Sequence, residues 1–315
     1  MKKVIGVCVA VLFLMGAVVS VYAADNLVLA TGGTAGTYYP FGGAMAKIWN
    51  SKIKGMNVTA QTSGVSAENV RLINKKEVEL ALVQSDTLDF AFNAKEAFKE
   101  PLKGMSAIAV LYPEIIQVGV GAASPIKSIA DLKGKKVGVG APGSGTEANF
   151  RQLLDAYGMK KEDVNAQYLS FSESAEAYKD KHIDAFNVTA GIPNAGIMDV
   201  ANQNEIRILD IPADVVAKLT KKYPFLAAAK VPANTYKGQT AEVSTVAVNA
   251  VLICGSGLKE AMVYNLTKAL FENQAELATA HAKGKELNMK TAVTGVSIPF
   301  HPGAVKYYKE KGLMK

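Results

Sequence analysis

The stretch at residues 27–43 reads LVLATGGTAGTYYPFGG, and its pattern predicts a strand, a loop and a helix in that order. Apolar residues precede a loop of Gly and Thr, and apolar residues at helical spacing begin at Phe41. The first amide groups of a helix have no partner within the helix and lie at the positive end of its dipole. We therefore expect this loop to bind an anion through Gly33, Thr34, Ala35, Gly36 and Thr37.

The same order recurs at residues 135–150, which read KKVGVGAPGSGTEANF. A short strand leads into a loop of Gly, Pro, Ser and Thr, and a helical pattern follows. Two such loops, one in each half of the chain, predict a ligand that is held from two sides. The second loop adds four candidate contacts, which are Gly143, Ser144, Gly145 and Thr146. The alternative is that both loops are structural turns.

The first residues have the features of a secretory signal peptide, which we predict for residues 1–23. Two lysines precede an apolar run at 4–19, which is shorter than the roughly 20 residues that span a membrane. Val-Tyr-Ala then fits cleavage after Ala23. The protein is therefore expected to be secreted across the inner membrane.

The charge pattern argues against a nucleic-acid partner. The formal net charge is +7, and loss of Lys2 and Lys3 with the signal peptide would lower it by two. The other lysines occur singly or in pairs with acidic residues between them, which favours a solvated surface over a nucleic-acid site.

Each half of the remaining chain predicts the same succession: strand, glycine loop, helix, strand, serine-capped helix, strand and polar loop. This indicates a repeated α/β lobe rather than a solenoid, because two copies are too few for stacked repeats. Two strand-like runs, 115–121 and 244–251, would lie side by side as a hinge between the lobes. The expected organisation is lobe 1 at residues 24–115 plus 250–315, and lobe 2 at residues 116–249.

Several short motifs occur in an order that is specific as a set. They are GTAGTYYP at 33–40, VQSD at 83–86, LYPE at 111–114, DLKGK at 131–135, GAPGSGT at 140–146, LSFSE at 169–173, AGIP at 190–193 and HPGA at 301–304. On these motifs the chain resembles the TAXI-type solute-binding proteins of TRAP (tripartite ATP-independent periplasmic) transporters. One difference is the segment GVSAEN at 64–69, where the family more often has Gly-Ser-Val-Glu-Asn.

The resemblance implies an α/β fold of the two-lobed periplasmic-binding-protein class (type II), with hinge strands between the lobes. It also implies a receptor that binds a small organic acid in the interlobe cleft and delivers it to the membrane subunits of an ion-driven TRAP permease. Glutamate or glutamine is the favoured ligand, and 2-oxoglutarate or another dicarboxylate comes next. We expect a monomer that uses no cofactor and no metal.

Further candidate contacts lie where the predicted strands end, because open α/β sheets bind ligands at that edge. Asp86 is singled out because a carboxylate there could accept a ligand ammonium group, although it could equally cap the following helix. Of the neighbours Gln84 and Ser85, one is expected to face the cleft, since adjacent strand residues point to opposite sides. Two candidates, Ser66 and Asn69, come from the family motif. The remaining candidates are Tyr38, Tyr39, Ala190, Gly191 and Pro193.

An enzymatic function has little support in the sequence. The segment GSG at 143–145 is not the Gly-x-Ser-x-Gly motif of a nucleophile elbow. His182, His281 and His301 have no spacing typical of a zinc site. A secreted hydrolase is therefore the weaker alternative. A periplasmic sensor that presents its ligand to a signalling receptor would have the same binding chemistry and a different partner.

Overall fold

A mixed sheet of ten strands runs through residues 25–315, the part of the chain that the computed structural model describes. The predicted signal peptide lies outside the described residues. The strands are β1 (Asp25–Ala30), β2 (Met56–Gln61), β3 (Leu80–Gln84), β4 (Met105–Gly121), β5 (Lys136–Gly138), β6 (Asn165–Gln167), β7 (Ala185–Ala190), β8 (Ile206–Ile208), β9 (Ala227–Val231) and β10 (Val243–Gly255).

Helices connect these strands and follow the last one. They are α1 (Tyr38–Lys52), α2 (Ser66–Lys75), α3 (Ser85–Phe92), α4 (Gly145–Ala156), α5 (Phe171–Lys179), α6 (Ala195–Gln203), α7 (Ala213–Lys222), α8 (Glu260–Glu272), α9 (Gln274–Ala280) and α10 (Pro302–Glu310). Short 3₁₀ turns lie at 129–132, 161–163 and 282–285.

Two parallel parts of the sheet have the same connectivity. In the first part β1 lies between β2 and β3, and in the second part β5 lies between β6 and β7. The chain order is β1, α1, β2, α2, β3 in the first part and β5, α4, β6, α5, β7 in the second. The repeated α/β order predicted from the sequence is therefore confirmed.

Strands β4 and β10 join the two parts. They pair antiparallel with each other, with Gly255 opposite Met105 at one end and Ala247 opposite Ile115 at the other. Strand β10 also pairs with β3, whereas β4 continues along β7. The two strand-like runs predicted to lie side by side belong to this pair of strands, but they meet only where Ile115 pairs with Ala247. Residues 116–119 pair with β7, and 248–251 pair with residues before 115.

The hydrophobic core is divided at these two strands. Two clusters of buried residues draw on 27–112 and 250–314, and two others draw on 115–248. The C-terminal helices belong to the first group, and the Trp49 indole on α1 donates a hydrogen bond to Leu266 O on α8 at 2.9 Å. This distribution supports the predicted lobe boundaries, which stay a prediction.

Both helices predicted to have serine caps begin differently in the structure. Helix α2 begins at Ser66 itself, and the N-cap position is Val65 at a φ of 69°. The Ser66 hydroxyl accepts a hydrogen bond from Gln84 N at 3.1 Å and so attaches α2 to β3. In the second half the sequence pattern predicts a helix that starts at Ser172, but α5 begins at Phe171. Ser170 caps it, because its hydroxyl accepts from Glu173 N at 3.3 Å. A local sequence pattern predicts where a helix lies more reliably than it predicts which residue begins the helix.

Replacing Leu252 by alanine tests the role of β10 in the core. Leu252 is fully buried opposite Leu82 and Ala109 on the neighbouring strands. Leu252→Ala should lower the free energy of unfolding by about 2 to 5 kcal/mol, because it leaves a cavity in a packed core. The exposed Met198 provides the control, and Met198→Ala should change it by less than about 0.5 kcal/mol. Equal urea midpoints for the two variants would contradict this role.

Candidate functional site

A cavity of about 310 Å³ lies between the two groups of core residues. This volume is at the lower end of the range that holds small ligands, about 300 to 1,000 Å³. Both halves of the chain contribute to its lining. The lining residues are Gly32, Gly33, Thr34, Ala35, Gly36, Thr37, Tyr38, Thr62, Ser63, Gly64, Val65, Gln84, Glu114, Ala141, Ser144, Thr146, Ser170, Phe171, Ser172, Thr189 and Ala190.

The whole of the first predicted loop, 33–37, lines this cavity together with Tyr38. The loop turns tightly, since Gly36 N donates to Gly33 O at 3.0 Å, and α1 begins directly after it. No side-chain hydrogen bond caps the N-terminus of α1 within the described structure. Its first-turn amides are therefore suited to an acidic group in the cavity. Tyr39 lies outside the lining of this cavity and is 36% exposed at a different part of the surface.

The second predicted loop contributes Ser144 and Thr146, whereas Gly143 and Gly145 lie outside the lining. Ser144 is the N-cap of α4, and its hydroxyl accepts from Glu147 N at 3.1 Å. A Cβ atom at Gly145 would overlap the Gln84 side chain, with its Oε1 only 1.6 Å away. Glycine at this position therefore lets the start of α4 approach the end of β3.

Among the strand-end candidates, Gln84 lines the cavity and Ser85 does not. The Ser85 hydroxyl instead accepts a hydrogen bond from Asn249 N at 3.4 Å. Asn69 is also outside the lining, because its amide donates to Thr31 O at 2.8 Å and to Leu82 O at 2.7 Å. Asn69, like Ser66, holds the ends of β1 and β3 and so positions the first loop and Gln84.

Asp86, the predicted ammonium partner, lies outside the lining in the first turn of α3. Its carboxylate accepts hydrogen bonds from Thr87 N at 2.6 Å and from Asn149 Nδ2 at 2.8 Å. Burial raises the pKa of Asp86, and these hydrogen bonds oppose the rise. Asn149 belongs to α4, so Asp86 connects the two lobes beside the cavity.

The segment 190–193 contributes only Ala190 to the lining. Gly191 packs against the side chain of Lys283, whose Cε lies 2.7 Å from the position a Cβ atom would take. Pro193 also lies outside. The next residue, Asn194, caps α6 and donates from Nδ2 to Ala35 O in the first loop at 3.2 Å. This hydrogen bond crosses the cleft.

Glu114 is a cavity residue that the sequence analysis did not single out. It is 3% exposed, and one carboxylate oxygen accepts a hydrogen bond from the Tyr38 hydroxyl at 2.7 Å. Burial raises the pKa of Glu114 to about 8, against the effect of hydrogen bonds from Tyr38 and Gln84. The available signal was an acidic residue within an apolar run, since a buried carboxyl group is costly without a function.

The electrostatics of the cavity depend on few groups. Glu114 is its acidic residue, and none of the lining residues named above is Lys, Arg or His. Sequence reasoning also missed 62–65, 170–172 and Thr189, which are close to the site only through the fold. Val65 stands out among them, because its φ of 69° is rare for a β-branched residue.

Residues 29–312 match the model of the NMT1-like family. The chain belongs to the NMT1-like family. A binding protein of Brucella abortus (strain 2308) is 28% identical to this NMT1-like chain over 149 residues, which are 46% of each protein. A binding protein of Brucella suis biovar 1 (strain 1330) matches to the same extent. The chain therefore spans about half the length of the curated relatives it matches.

Solved structures with a similar backbone include a protein from Bordetella bronchiseptica RB50, with a TM-score of 0.55 at 17% identity over 92% of this chain and 89% of that chain. The alkanesulfonate-binding protein SsuA from Xanthomonas axonopodis pv. citri, bound to MOPS, has a TM-score of 0.53 at 14% identity. The match covers 93% of this chain and 96% of that chain. At these identities the likeness concerns the fold. The NMT1-like chain has the predicted two-lobed α/β fold of periplasmic binding proteins.

Two further features are absent from residues 25–315. No helix in this range combines the length and the apolar character needed to cross a bilayer. Within the same residues no three His, Cys, Asp or Glu side chains come together as a metal site would require.

The raised pKa of Glu114 predicts a pH-dependent stability. The folded protein holds a proton on Glu114 up to about pH 8, whereas the unfolded chain loses it near pH 4.5. The contribution of this group is therefore largest below pH 4.5 and falls as the pH rises to 8, by at most about 1.4 kcal/mol per pH unit. Denaturant unfolding at several pH values between 5 and 8 should reveal this slope.

The fall in stability between pH 5 and 8 should be smaller in Glu114→Gln, because the amide does not titrate. The exposed Glu100 provides the control, and Glu100→Gln should keep the slope of the unmodified protein. The same pH dependence in all three proteins would show that Glu114 is not the group responsible.

Proposed function

We propose that this NMT1-like protein is a solute receptor that binds a small carboxylate in the cavity between its lobes. The observation that carries the proposal is that two loops far apart in sequence line one cavity. Thr34 and Thr37 come from one lobe, and Ser144 and Thr146 come from the other. Hydrogen bonds from amides and hydroxyls to a carboxylate contribute roughly 1.5 to 3 kcal/mol each.

Closure of the lobes around the ligand is supported by three contacts across the cleft. Asn194 donates to Ala35 O, Asn149 donates to Asp86, and Arg151 forms a salt bridge with Glu96 at 3.0 Å. These contacts need both lobes to be close together. A ligand that bridges the two loops adds interactions which an open form lacks, so it shifts the population towards the closed form.

The proposed context is transport. The resemblance to TAXI-type proteins supports a TRAP permease as the partner, and the predicted signal peptide supports a periplasmic location. The receptor would work as a monomer without cofactor, metal or nucleic acid, and it would not catalyse a reaction. Glutamate or glutamine is the favoured ligand, followed by 2-oxoglutarate and other dicarboxylates. Uptake into vesicles that contain the permease subunits, with and without this protein, tests the partner.

Thermal melting of the chain from Ala24 onward tests ligand binding. The panel consists of glutamate, glutamine, pyroglutamate, 2-oxoglutarate and C4 dicarboxylates. A ligand at about 100 times its dissociation constant should add roughly 2.7 kcal/mol to the free energy of unfolding, which raises the melting temperature. The proposal fails if no carboxylate raises it.

A threonine in the first loop should contribute directly to affinity. Thr37 lines the cavity and is buried, and Thr37→Val removes its hydroxyl with little change in shape. Loss of one hydrogen bond to a charged group, about 1.5 kcal/mol or more, should weaken binding at least tenfold in a calorimetric titration. Thr59, exposed on β2 and outside the lining, provides the control Thr59→Val, which should bind normally. Equal affinities would exclude a contact from Thr37.

A further inference from the structure

One wall of the ligand cavity carries a buried carboxyl group and two incompletely paired polar side chains. Glu114 lies near the middle of β4 and lines the cavity. The Tyr38 hydroxyl donates a hydrogen bond to one of its carboxyl oxygens. Two other lining side chains, Gln84 and Thr189, carry buried oxygens with no hydrogen-bond partner within the described residues. Thr189 is close to Glu114 in the sheet, because Ala190 pairs with Ile115.

Buried polar atoms in folded proteins are nearly always paired. The lining residues offer no cationic side chain to this wall, as none of them is Lys, Arg or His. Burial raises the pKa of Glu114, and the positive charge of Lys283 acts to lower it. Lys283 itself lies outside the lining and forms a salt bridge with Glu286. Glu114 therefore has no cationic partner among the lining residues.

We propose that Glu114, with Gln84 and Thr189, forms the subsite for the ammonium group of a zwitterionic ligand, while the loop at 33–37 holds its carboxylate. The inference rests on the proposed receptor function and specifies its ligand class. Amino acids should bind in preference to 2-oxo acids of the same skeleton, because an ammonium group can form a charged pair with the Glu114 carboxylate and an oxo group cannot.

Asp86 is less suited to this role. Its Oδ1 accepts from Thr87 N and its Oδ2 accepts from Asn149 Nδ2, so both oxygens already have donors. It also lies outside the cavity lining. Glu114 also has donors, from Tyr38 and Gln84, but it lies in the cavity lining, where a ligand can reach it.

Proton transfer should accompany binding. Glu114 is surrounded by Tyr38 on α1, Asp86 on α3, Tyr112 on its own strand and Lys283 in the 282–285 turn. Burial raises the pKa of Glu114 to about 8, so its carboxyl group holds a proton at neutral pH when no ammonium group is near. An ammonium group favours the ionised form, and the carboxyl proton passes to solvent. Affinity for amino acids should rise with pH towards 8, by at most tenfold per pH unit.

Calorimetric titration of the unmodified protein provides the first test. The probes are pairs that differ in the ammonium and oxo groups: glutamate with 2-oxoglutarate, leucine with 4-methyl-2-oxopentanoate, and alanine with pyruvate. At least one amino acid should bind tenfold or more tightly than its oxo acid. Titrations at pH 7 in buffers of different ionisation enthalpy should detect proton release with that amino acid. This readout needs no variant.

Variants then assign the subsite to Glu114. Glu114→Gln keeps the size of the side chain and removes the charge, so it should weaken amino-acid binding at least thirtyfold and oxo-acid binding less than threefold. The control is Asp86→Asn, which should change both members of a pair by the same factor. An unchanged amino-acid preference in Glu114→Gln would overturn the proposal.

The remaining outcomes separate the two proposals. Tighter binding of the oxo acids, or proton uptake when an acid binds, would overturn the ammonium subsite and leave the receptor function standing. If none of these acids and none of the dicarboxylates binds, the receptor function fails and the subsite fails with it.

Discussion

Strands β4 and β10 run antiparallel along each other between the two halves of the sheet, and the positions of the other elements follow from this pairing. Each strand continues from the core of one lobe into the core of the other, so backbone hydrogen bonds, rather than a flexible linker, connect the lobes. The cleft opens beside this ribbon. Glu114 lies on β4 opposite Val248, close to the point where the strand passes from one core to the other.

The cavity offers polarity without cationic side chains. Its donors are the amides and hydroxyls of two loops at helix starts, which are fixed in direction by the strands and helices beside them. Such groups need no reorganisation when a ligand enters, so they can be selective for an acidic group at low cost in entropy. The Glu114 wall differs from these loops because it carries the acidic residue of the lining.

Several polar residues near the cavity serve the architecture rather than the ligand surface. Asn69 joins the ends of β1 and β3 through their carbonyl groups, and Ser66 accepts from the backbone of Gln84. Asp86 and Asn149 form a buried hydrogen bond between the lobes. Because a buried polar group is costly when unpaired, each of these side chains also limits how the elements around it can be arranged.

The sequence alone allowed prediction of the two strand, loop and helix units, their repetition and the strand character of the two connecting runs. These features depend on hydrophobic periodicity and on Gly and Thr in loops, which are local properties. It also singled out the first loop, 33–37, all of which lines the cavity in the structure.

Which polar residue faces the cavity was decided by the tertiary structure. Gln84, Ser85 and Asp86 are consecutive, yet only Gln84 reaches the lining, because β3 ends there and α3 turns the next two residues towards β10 and α4. Glu114 became a candidate only when α1 placed Tyr38 against it across 76 positions of sequence. The burial and partners of a side chain depend on such distant segments, and no local pattern contains that information.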